Sequence, residues 1–302
     1  MENKYFEFKQ LLSSPIKRAA YSDRTAWLMA KMSKLAYLPF EIDDSELKIA
    51  LAEADFVVVK CFNNDGTQAF LARRESDKMA ILSFRGTQVE GFTLETFFDA
   101  FADLYATMHI GDNNIKTHKG FLLAFQKIQT EVVQQVQVLP DYSLYITGHS
   151  LGGALALIAM SEIVLDNLGA CYTFGSPKVG NEEFDDKIKS PIYRVINSYD
   201  VVPFLPFTTI MLPLFWMIKK KIKNDKVKIL IENFKEYRHH GDMRFLTNVI
   251  SNKDAKVLNE YGELKRSIHL LRLSFIDKDT GVQHHSIDAY CEKLAHWALK
   301  RV

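Results

Sequence analysis

Apolar runs alternate with amphipathic segments along most of this chain. Short apolar runs bounded by turn residues predict buried strands at 56–62, 79–84, 142–147, 170–174 and 192–196. Further strands are predicted at 237–246 and 269–275. Apolar residues recur at helical spacing at 22–37 and 121–138, which predicts amphipathic helices there. Strands that alternate with helices are typical of a mostly parallel sheet covered by helices, so the pattern predicts an α/β fold.

The segment 142–165 combines a strand, a tight turn and a helix. The turn carries the run Gly-His-Ser-Leu-Gly at 148–152. Gly-x-Ser-x-Gly between a strand and a helix is the nucleophile elbow, a turn too tight for side chains at its two glycines. The sequence therefore predicts that Ser150 is a nucleophile held above the sheet edge. An inert serine in a glycine-rich turn is the alternative.

A serine nucleophile needs N–H donors for the oxyanion that develops on its substrate. One donor is the backbone N–H of the residue after the nucleophile, here Leu151. The second comes from the loop after a neighbouring strand, and Thr87 follows the predicted strand 79–84. Gly86 allows a close approach of the backbone. Taken alone, this segment is also consistent with an ordinary strand-to-loop turn.

The orienting acid is predicted from its place after a strand. Asp200 follows the strand at 192–196. Proteins with a nucleophile elbow keep the carboxylate that orients the base after such a strand, in the chain order Ser, Asp, His. Asp185 and Asp186 are weaker candidates, because they lie in a polar stretch typical of a solvated helix start.

The base is predicted from the end of the chain. His284 and His285 precede a run with apolar residues at helical spacing, and Ser286 is suited to cap that helix. A histidine in such a loop can fold back over the elbow. Spacing alone leaves both histidines open.

Two apolar segments predict contact with a greasy acyl group. The stripe at 92–105 is either a lid or a core helix. Residues 201–218 carry no charge and lead into the lysine-rich run 219–223. Three interpretations are open for this second segment: a buried cap, an interfacial anchor or a membrane span, the last disfavoured by three prolines.

Composition narrows the function classes. The 302 residues are 47% hydrophobic and carry a net charge of +1, which gives no reason to expect nucleic acid. Three scattered cysteines predict neither a disulfide framework nor a metal site. The first residues contain no apolar core of signal-peptide length, so we expect a cytoplasmic protein, with membrane association or signal-independent export as further options.

Five short motifs together resemble one family. They are Phe-Arg-Gly-Thr at 84–87, His-Lys-Gly-Phe at 118–121, the elbow at 148–152, Thr-Phe-Gly-Ser-Pro at 173–177 and Asp-Val-Val-Pro at 200–203. In order and approximate spacing they resemble the class 3 lipases, the fungal-lipase-like branch of the α/β-hydrolases. The resemblance implies a single α/β-hydrolase domain over 1–302. It also implies a lid at 88–106. The chain departs from the family's compact pattern in an apolar and basic cap insertion, predicted at 204–236, and in a second insertion, predicted at 247–283.

The resemblance also implies roles for single residues. It makes Ser150 the nucleophile and places Thr87 in the oxyanion loop. The family's pattern of a histidine followed by a tyrosine is best matched by His285, with His284 as the alternative. Three other histidines resemble framework residues and are expected to be structural: His118, His149 and His240.

The implied activity is hydrolysis of lipid esters through a Ser-Asp-His triad and an acyl-enzyme, as in a triacylglycerol lipase or a phospholipase A. The alternatives are a lipid acyltransferase with the same triad and a non-catalytic lipid-binding protein that keeps the fold. No metal or organic cofactor is expected. The expected partners are a lipid ester and a lipid surface that meets residues 201–223, without nucleic acid.

Overall fold

The computed structural model describes most of the chain. The described residues are 4–13, 19–87, 108–110, 114–206, 236–247, 251–262, 265 and 283–301. Within them the strands are β1 (Val57–Asn64), β2 (Thr67–Arg74), β3 (Met79–Phe84), β4 (Met108–Ile110), β5 (Lys116–His118), β6 (Ser143–His149), β7 (Leu168–Phe174), β8 (Ile192–Asn197), β9 (Asp242–Leu246) and β10 (Val257–Leu258). The helices are α1 (Asp23–Leu35), α2 (Ser45–Ala52), α3 (Lys119–Gln137), α4 (Leu151–Glu162) and α5 (Ile287–Leu299).

One large sheet organises these elements. Its strands lie in the order β1-β2-β3-β6-β7-β8-β9-β10, while β4 and β5 form a separate pair. Strands β3, β6, β7, β8 and β9 run parallel to one another, and β1, β2 and β10 join the sheet antiparallel. The carboxyl ends of the parallel strands therefore meet at one edge, which is where open α/β sheets bind their ligands.

Helices cover both faces of the sheet. Apolar side chains of α3 and α4 pack against one face. Apolar side chains of α1, α2 and α5 pack against the other. The strands between these layers are apolar on both sides, as in β3, whose six residues are all buried. The predicted α/β architecture, with a largely parallel sheet between helices, is confirmed.

Helix starts follow their local sequence. Ser22 caps α1 by accepting a hydrogen bond from the Thr25 N–H, and Ser286 caps α5 by accepting one from the Asp288 N–H. The predicted helix at 22–37 is shorter than expected, since α1 ends at Leu35. The elbow helix, expected to reach residue 165, ends at Glu162 because Ile163 is already extended.

The predicted strand at 237–246 is wrong in its first half. Regular pairing begins only at Asp242, because Gly241 has a positive φ of 81° that interrupts the extended backbone. Upstream of it, Arg238 makes an isolated bridge to Gly180. The expected polar helix start around Asp185 is a 3-10 helix, Glu182–Lys187, that buries Phe184.

The predicted lid and insertions are described only in part. The lid at 88–106 lies outside the described residues, as do 207–235 of the cap and the strand expected at 269–275. Within the second insertion, β10 pairs antiparallel with β9 and so extends the main sheet. In the part of the chain that is described, no helix has the length and apolar character needed to cross a membrane.

Candidate active site

The turn after β6 is as tight as its glycines predict. A Cβ on Gly148 would lie 2.1 Å from the carbonyl oxygen of Gly152, and one on Gly152 would lie 2.4 Å from that of Phe84. Neither distance is tolerated by a real side chain. Ser150 sits between them with φ 58° and ψ −127°, a backbone conformation that non-glycine residues rarely adopt. The close packing on both sides holds the serine in this conformation at the start of α4.

Ser150 faces a histidine from the far end of the chain. Its Oγ lies 2.8 Å from Nε2 of His285, and both residues are buried. The other ring nitrogen of His285, Nδ1, lies 2.9 Å from Oδ2 of Asp200. A carboxylate accepts hydrogen bonds, so Nδ1 carries the proton and Nε2 is left free to accept the Ser150 hydroxyl proton.

Asp200 is fully buried and is held by several donors. Besides His285, the Val202 N–H donates to Oδ1 at 2.9 Å and the Tyr290 hydroxyl donates to Oδ2 at 2.5 Å. Three donors offset the cost of burying the carboxylate and fix its orientation toward the imidazole. The three side chains come from the ends of β6 and β8 and from the loop before α5.

Gly175 leaves room for this arrangement. It follows β7 with a φ of 57°. A Cβ there would lie 2.5 Å from Oδ2 of Asp200 and 3.0 Å from Nδ1 of His285. Only glycine at this position lets the acid and the imidazole pack against the backbone between β7 and β8.

His284 takes a different contact from its neighbour. Its Nδ1 lies 3.0 Å from the Ser198 Oγ, and its ring packs edge-on against Tyr199. Burial lowers the pKa of His284 to about 4, with a further lowering from the Lys293 charge. Of the two histidines left open by spacing, the structure therefore brings His285 to the serine and the acid.

His149 contacts the backbone of His285. Its Nε2 lies 2.7 Å from the carbonyl oxygen of His285, and its Nδ1 lies 2.8 Å from the Tyr37 hydroxyl. Burial lowers the pKa of His149 well below its usual value, and the nearby His285 adds to the effect. The ring is therefore neutral, so Nε2 donates to the carbonyl and Nδ1 accepts from Tyr37.

The oxyanion candidates lie beside the elbow. Leu151 is the first residue of α4, so its N–H is among the first-turn donors that have no intrahelical acceptor. Thr87 follows the end of β3, which pairs in parallel with β6 at Phe84 and Gly148. Between them, Gly86 packs so closely that a Cβ would lie 2.7 Å from the His149 carbonyl oxygen. The role of both N–H groups as oxyanion donors stays a prediction.

Arg85 anchors the start of the candidate oxyanion loop. Its guanidinium donates to the Ala36 carbonyl at 2.6 Å and to both carboxylate oxygens of Glu41 at 2.7 and 2.6 Å. It also lies over the ring of Phe40. A buried guanidinium with several fixed acceptors is a rigid support, so the backbone that leads to Thr87 is tied to the segment after α1.

The weaker candidates lie elsewhere. Asp185 Oδ1 is 2.8 Å from Nδ1 of His240, which accounts for that buried histidine. Ser176 donates to the Pro177 carbonyl. His118 caps α3 by accepting from the Phe121 N–H. No group of metal-ligating side chains was found among the described residues.

Comparison with known proteins finds that this chain is similar to lipases. The profile described as lipase (class 3) matches residues 81–210, which include Ser150 and Asp200. This part of the chain is similar to the class 3 lipases. Two curated lipases are also similar to the chain. Rhizomucor miehei lipase is 31% identical over 171 residues, which cover 51% of this chain and 46% of that protein. A secreted mono- and diacylglycerol lipase of Fusarium solani is 32% identical over 151 residues, covering 47% and 43%.

Solved structures of lipases have the same fold. The native propeptide complex of Rhizomucor miehei lipase aligns with a TM-score of 0.60 at 24% identity, over 88% of this chain and 80% of that one. A triacylglycerol lipase whose catalytic centre is a serine protease triad aligns at 0.61 and 23%, over 88% and 94%. At this identity the likeness establishes the α/β-hydrolase fold. The chain spans less than half the length of the curated relatives named above.

Sequence reasoning missed several residues that surround the candidate active site. Tyr37 and Asn197 contact His149 and His284 across long stretches of chain, and Lys293 contacts Asn197 from α5. Local spacing carries no signal for such pairs. Gly175 enters the sequence analysis only within the motif at 173–177, although its place at the end of a predicted strand is a usable signal for the site.

Proposed function

We propose that this protein is a serine carboxylic-ester hydrolase that acts on lipid esters. The observation that carries the proposal is the line of hydrogen-bond contacts from Ser150 through His285 to Asp200, at 2.8 and 2.9 Å. The match of residues 81–210 to the class 3 lipase profile supports the ester as substrate.

The first half-reaction uses the free nitrogen of the base. His285 Nε2 takes the proton of Ser150 as Oγ attacks the ester carbonyl. Asp200 keeps Nδ1 protonated and stabilises the imidazolium that forms. The backbone N–H groups of Thr87 and Leu151 bind the oxyanion, and the loss of one such donor typically costs about 100- to 1000-fold in rate. The imidazolium then protonates the leaving alcohol, which leaves an acyl group on Ser150.

The second half-reaction returns the enzyme to its starting state. His285 removes a proton from water, which attacks the acyl-enzyme carbonyl. The tetrahedral intermediate collapses, the fatty acid leaves, and Ser150 regains its proton from the imidazolium. An alcohol in place of water would give acyl transfer, so product analysis with added alcohols distinguishes a hydrolase from an acyltransferase.

The decisive test removes the nucleophile. Ser150→Ala is expected to abolish covalent labelling by a fluorophosphonate and to lower ester hydrolysis by a factor on the order of 10⁶. Ser161→Ala is the matched control, because Ser161 lies at the opposite end of the same helix and donates only to the Ile158 carbonyl. Labelling that survives in Ser150→Ala would exclude Ser150 as the nucleophile.

The class of lipid is proposed from the relatives. The relatives and neighbours include a mono- and diacylglycerol lipase and a triacylglycerol lipase, which favours neutral glycerides over phospholipids. Initial rates on matched triacylglycerol, diacylglycerol and phospholipid dispersions test this. A higher kcat/KM for the phospholipid would shift the proposal to a phospholipase A.

A lipid surface is expected to raise the activity. Ser150 is only 3% exposed and His285 only 4%, so a large ester needs an opening to reach them. One solved neighbour, a fungal lipase–inhibitor complex, is described as a model for interfacial activation. We expect the rate on a short-chain ester to rise sharply where the ester exceeds its solubility. A smooth hyperbola through that concentration would contradict surface activation.

A further inference from the structure

The backbone around the base is held at two successive carbonyl groups. The His285 carbonyl accepts from Nε2 of His149 at 2.7 Å, and the His284 carbonyl accepts from Nδ2 of Asn197 at 2.8 Å. Together the two hydrogen bonds hold the two peptide planes that flank the Cα of His285.

Asn197 is the point at which the acid and the base loop meet. It is the last residue of β8 and is fully buried. Its carbonyl accepts the Asp200 N–H at 2.8 Å. Its own N–H donates at 3.0 Å to the hydroxyl of Tyr290, which in turn donates to Asp200. A change in the position of Asn197 would therefore reach both Asp200 and His285.

Lys293 sets the orientation of the Asn197 amide. Its Nζ donates to Oδ1 of Asn197 at 2.8 Å and to the Thr247 carbonyl at 3.1 Å. An ammonium group has donors and no acceptor, so it can face only the amide oxygen. The amide nitrogen is thereby turned toward the His284 carbonyl.

Stability does not account for this buried lysine. Lys293 is 2% exposed, and no carboxylate of the described residues lies within ion-pair distance of its Nζ. Burial lowers the pKa of Lys293 to about 8, as expected for an ammonium group removed from water. An ammonium held among neutral oxygens costs free energy that a methionine would not, so its contact with Asn197 needs another explanation.

We propose that Lys293 and Asn197 are positioning residues for the catalytic base. The ammonium orients the Asn197 amide, and the amide holds the His284 carbonyl so that the His285 ring meets Ser150. Neither side chain touches substrate. The inference rests on the proposed function, because it assigns these residues to the same serine chemistry.

The test separates geometry from folding by measuring two quantities in one reaction with a fluorophosphonate at pH 7. The end point counts the folded, competent sites, and the rate constant reports how well the base meets the serine. Lys293→Met removes the donor at nearly constant length. Lys31→Met is the matched control: Lys31, on α1, is also buried, at 6% exposed, and its Nζ pairs with the carboxylate of Glu7 near the start of the chain.

We expect the Lys293→Met protein to be labelled to completion, with a labelling rate constant that is lower by on the order of 10- to 100-fold. Small misplacements of reacting groups have effects of this size. The kcat for ester hydrolysis should fall by the same factor with KM unchanged. Lys31→Met should label at the wild-type rate.

Asn197→Asp keeps the oxygen that faces Lys293 and removes the N–H donors that hold the His284 carbonyl. It gives the buried ammonium a carboxylate partner, so the melting temperature should hold or rise while the labelling rate falls. Loss of rate without loss of stability is the result that a merely structural role would not give.

Three results would overturn the inference. A wild-type rate constant in Lys293→Met or in Asn197→Asp would show that the substituted residue does not position the base, which breaks the proposed line of contacts. A lower end point with an unchanged rate constant would assign Lys293 to folding alone. An unlabelled wild-type protein would reject the proposed function itself, and this inference with it.

Discussion

At the scale of single residues, the site depends on one histidine tautomer. The carboxylate of Asp200 faces Nδ1 of His285, so the proton stays on that nitrogen and Nε2 remains free for Ser150. Tyr290 and the Val202 N–H hold the carboxylate in the orientation that this requires.

Replacement of the acid by its amide tests this tautomer. Asp200→Asn keeps the shape of the side chain and offers N–H donors to Nδ1, so kcat is expected to fall by about 10⁴-fold. The matched control is Asp186→Asn, which changes an exposed carboxylate of the 3-10 helix. Equal activity of the two variants would remove Asp200 from the mechanism.

Gly175 offers a second residue-scale test. Gly175→Ala places a methyl group 2.5 Å from the Asp200 carboxylate, and we expect kcat to fall by on the order of 100-fold as the acid and imidazole separate. Gly66→Ala is the control, because Gly66 also has a positive φ, 81°, but has open space around it. Both variants should lose about 1 kcal/mol of unfolding free energy through backbone strain. Comparable activity losses in both would trace the effect to strain and not to the acid–imidazole contact.

At the scale of elements, the base depends on how α5 begins. Ser286 caps this helix and directly follows His285, so the cap and the catalytic loop share the same backbone. A loosened first turn should let the loop move.

Two cap variants separate the loop from general stability. Ser286→Ala and Ser22→Ala each remove one N-cap, and each should cost about 1 kcal/mol of unfolding free energy in a urea titration. Only Ser286→Ala should also slow fluorophosphonate labelling. An equal labelling rate in the two variants would show that the α5 cap does not position the base.

Sequence patterns predicted the elements that depend on local chemistry. Strand β3 matches its predicted bounds at 79–84, since five of its six residues are apolar and it ends before a polar loop. The elbow was predictable because its two glycines lie between an apolar strand and an apolar helix. Strand β10 has only two residues and exists through its pairing with β9, so no local pattern marks it. The first half of the strand predicted at 237–246 failed because one glycine interrupts the extended backbone.

The residues of the candidate site differ in the same way in how far the sequence predicts them. Ser150, Asp200 and the histidine pair 284–285 were accessible to sequence reasoning, because each follows or precedes a recognisable element. The choice between the two histidines needed the structure, since it depends on which ring faces the serine and which faces Ser198. The supporting contacts of Tyr37, Asn197 and Lys293 join residues far apart in the chain, and only tertiary packing brings them together.

At the scale of the whole molecule, buried neutral histidines make stability depend on pH. Burial lowers the pKa of His118 to about 3 and that of His149 well below its usual value. Below pH about 6.5 the unfolded chain takes up a proton at each histidine, whereas the folded protein does not until the pH reaches the lowered pKa. The free energy of unfolding should therefore fall as the pH decreases from about 6.5 to 4.

Each such histidine contributes a slope of up to about 1.4 kcal/mol per pH unit in this window. Urea titrations between pH 4 and 7 measure it. His118→Asn removes one titrating group and keeps a good N-cap for α3, so its slope should be lower by up to that amount. An unchanged slope would mean that His118 is protonated in the folded protein.

The order of the three reacting side chains along the chain has a consequence for biosynthesis. A nascent polypeptide that has emerged as far as β9 already carries the five parallel strands and the elbow. It still lacks His285, which comes 135 positions after Ser150. Under the proposed function the serine therefore gains its base only when almost the whole described chain has been made, and a product truncated before residue 285 is expected to be inert.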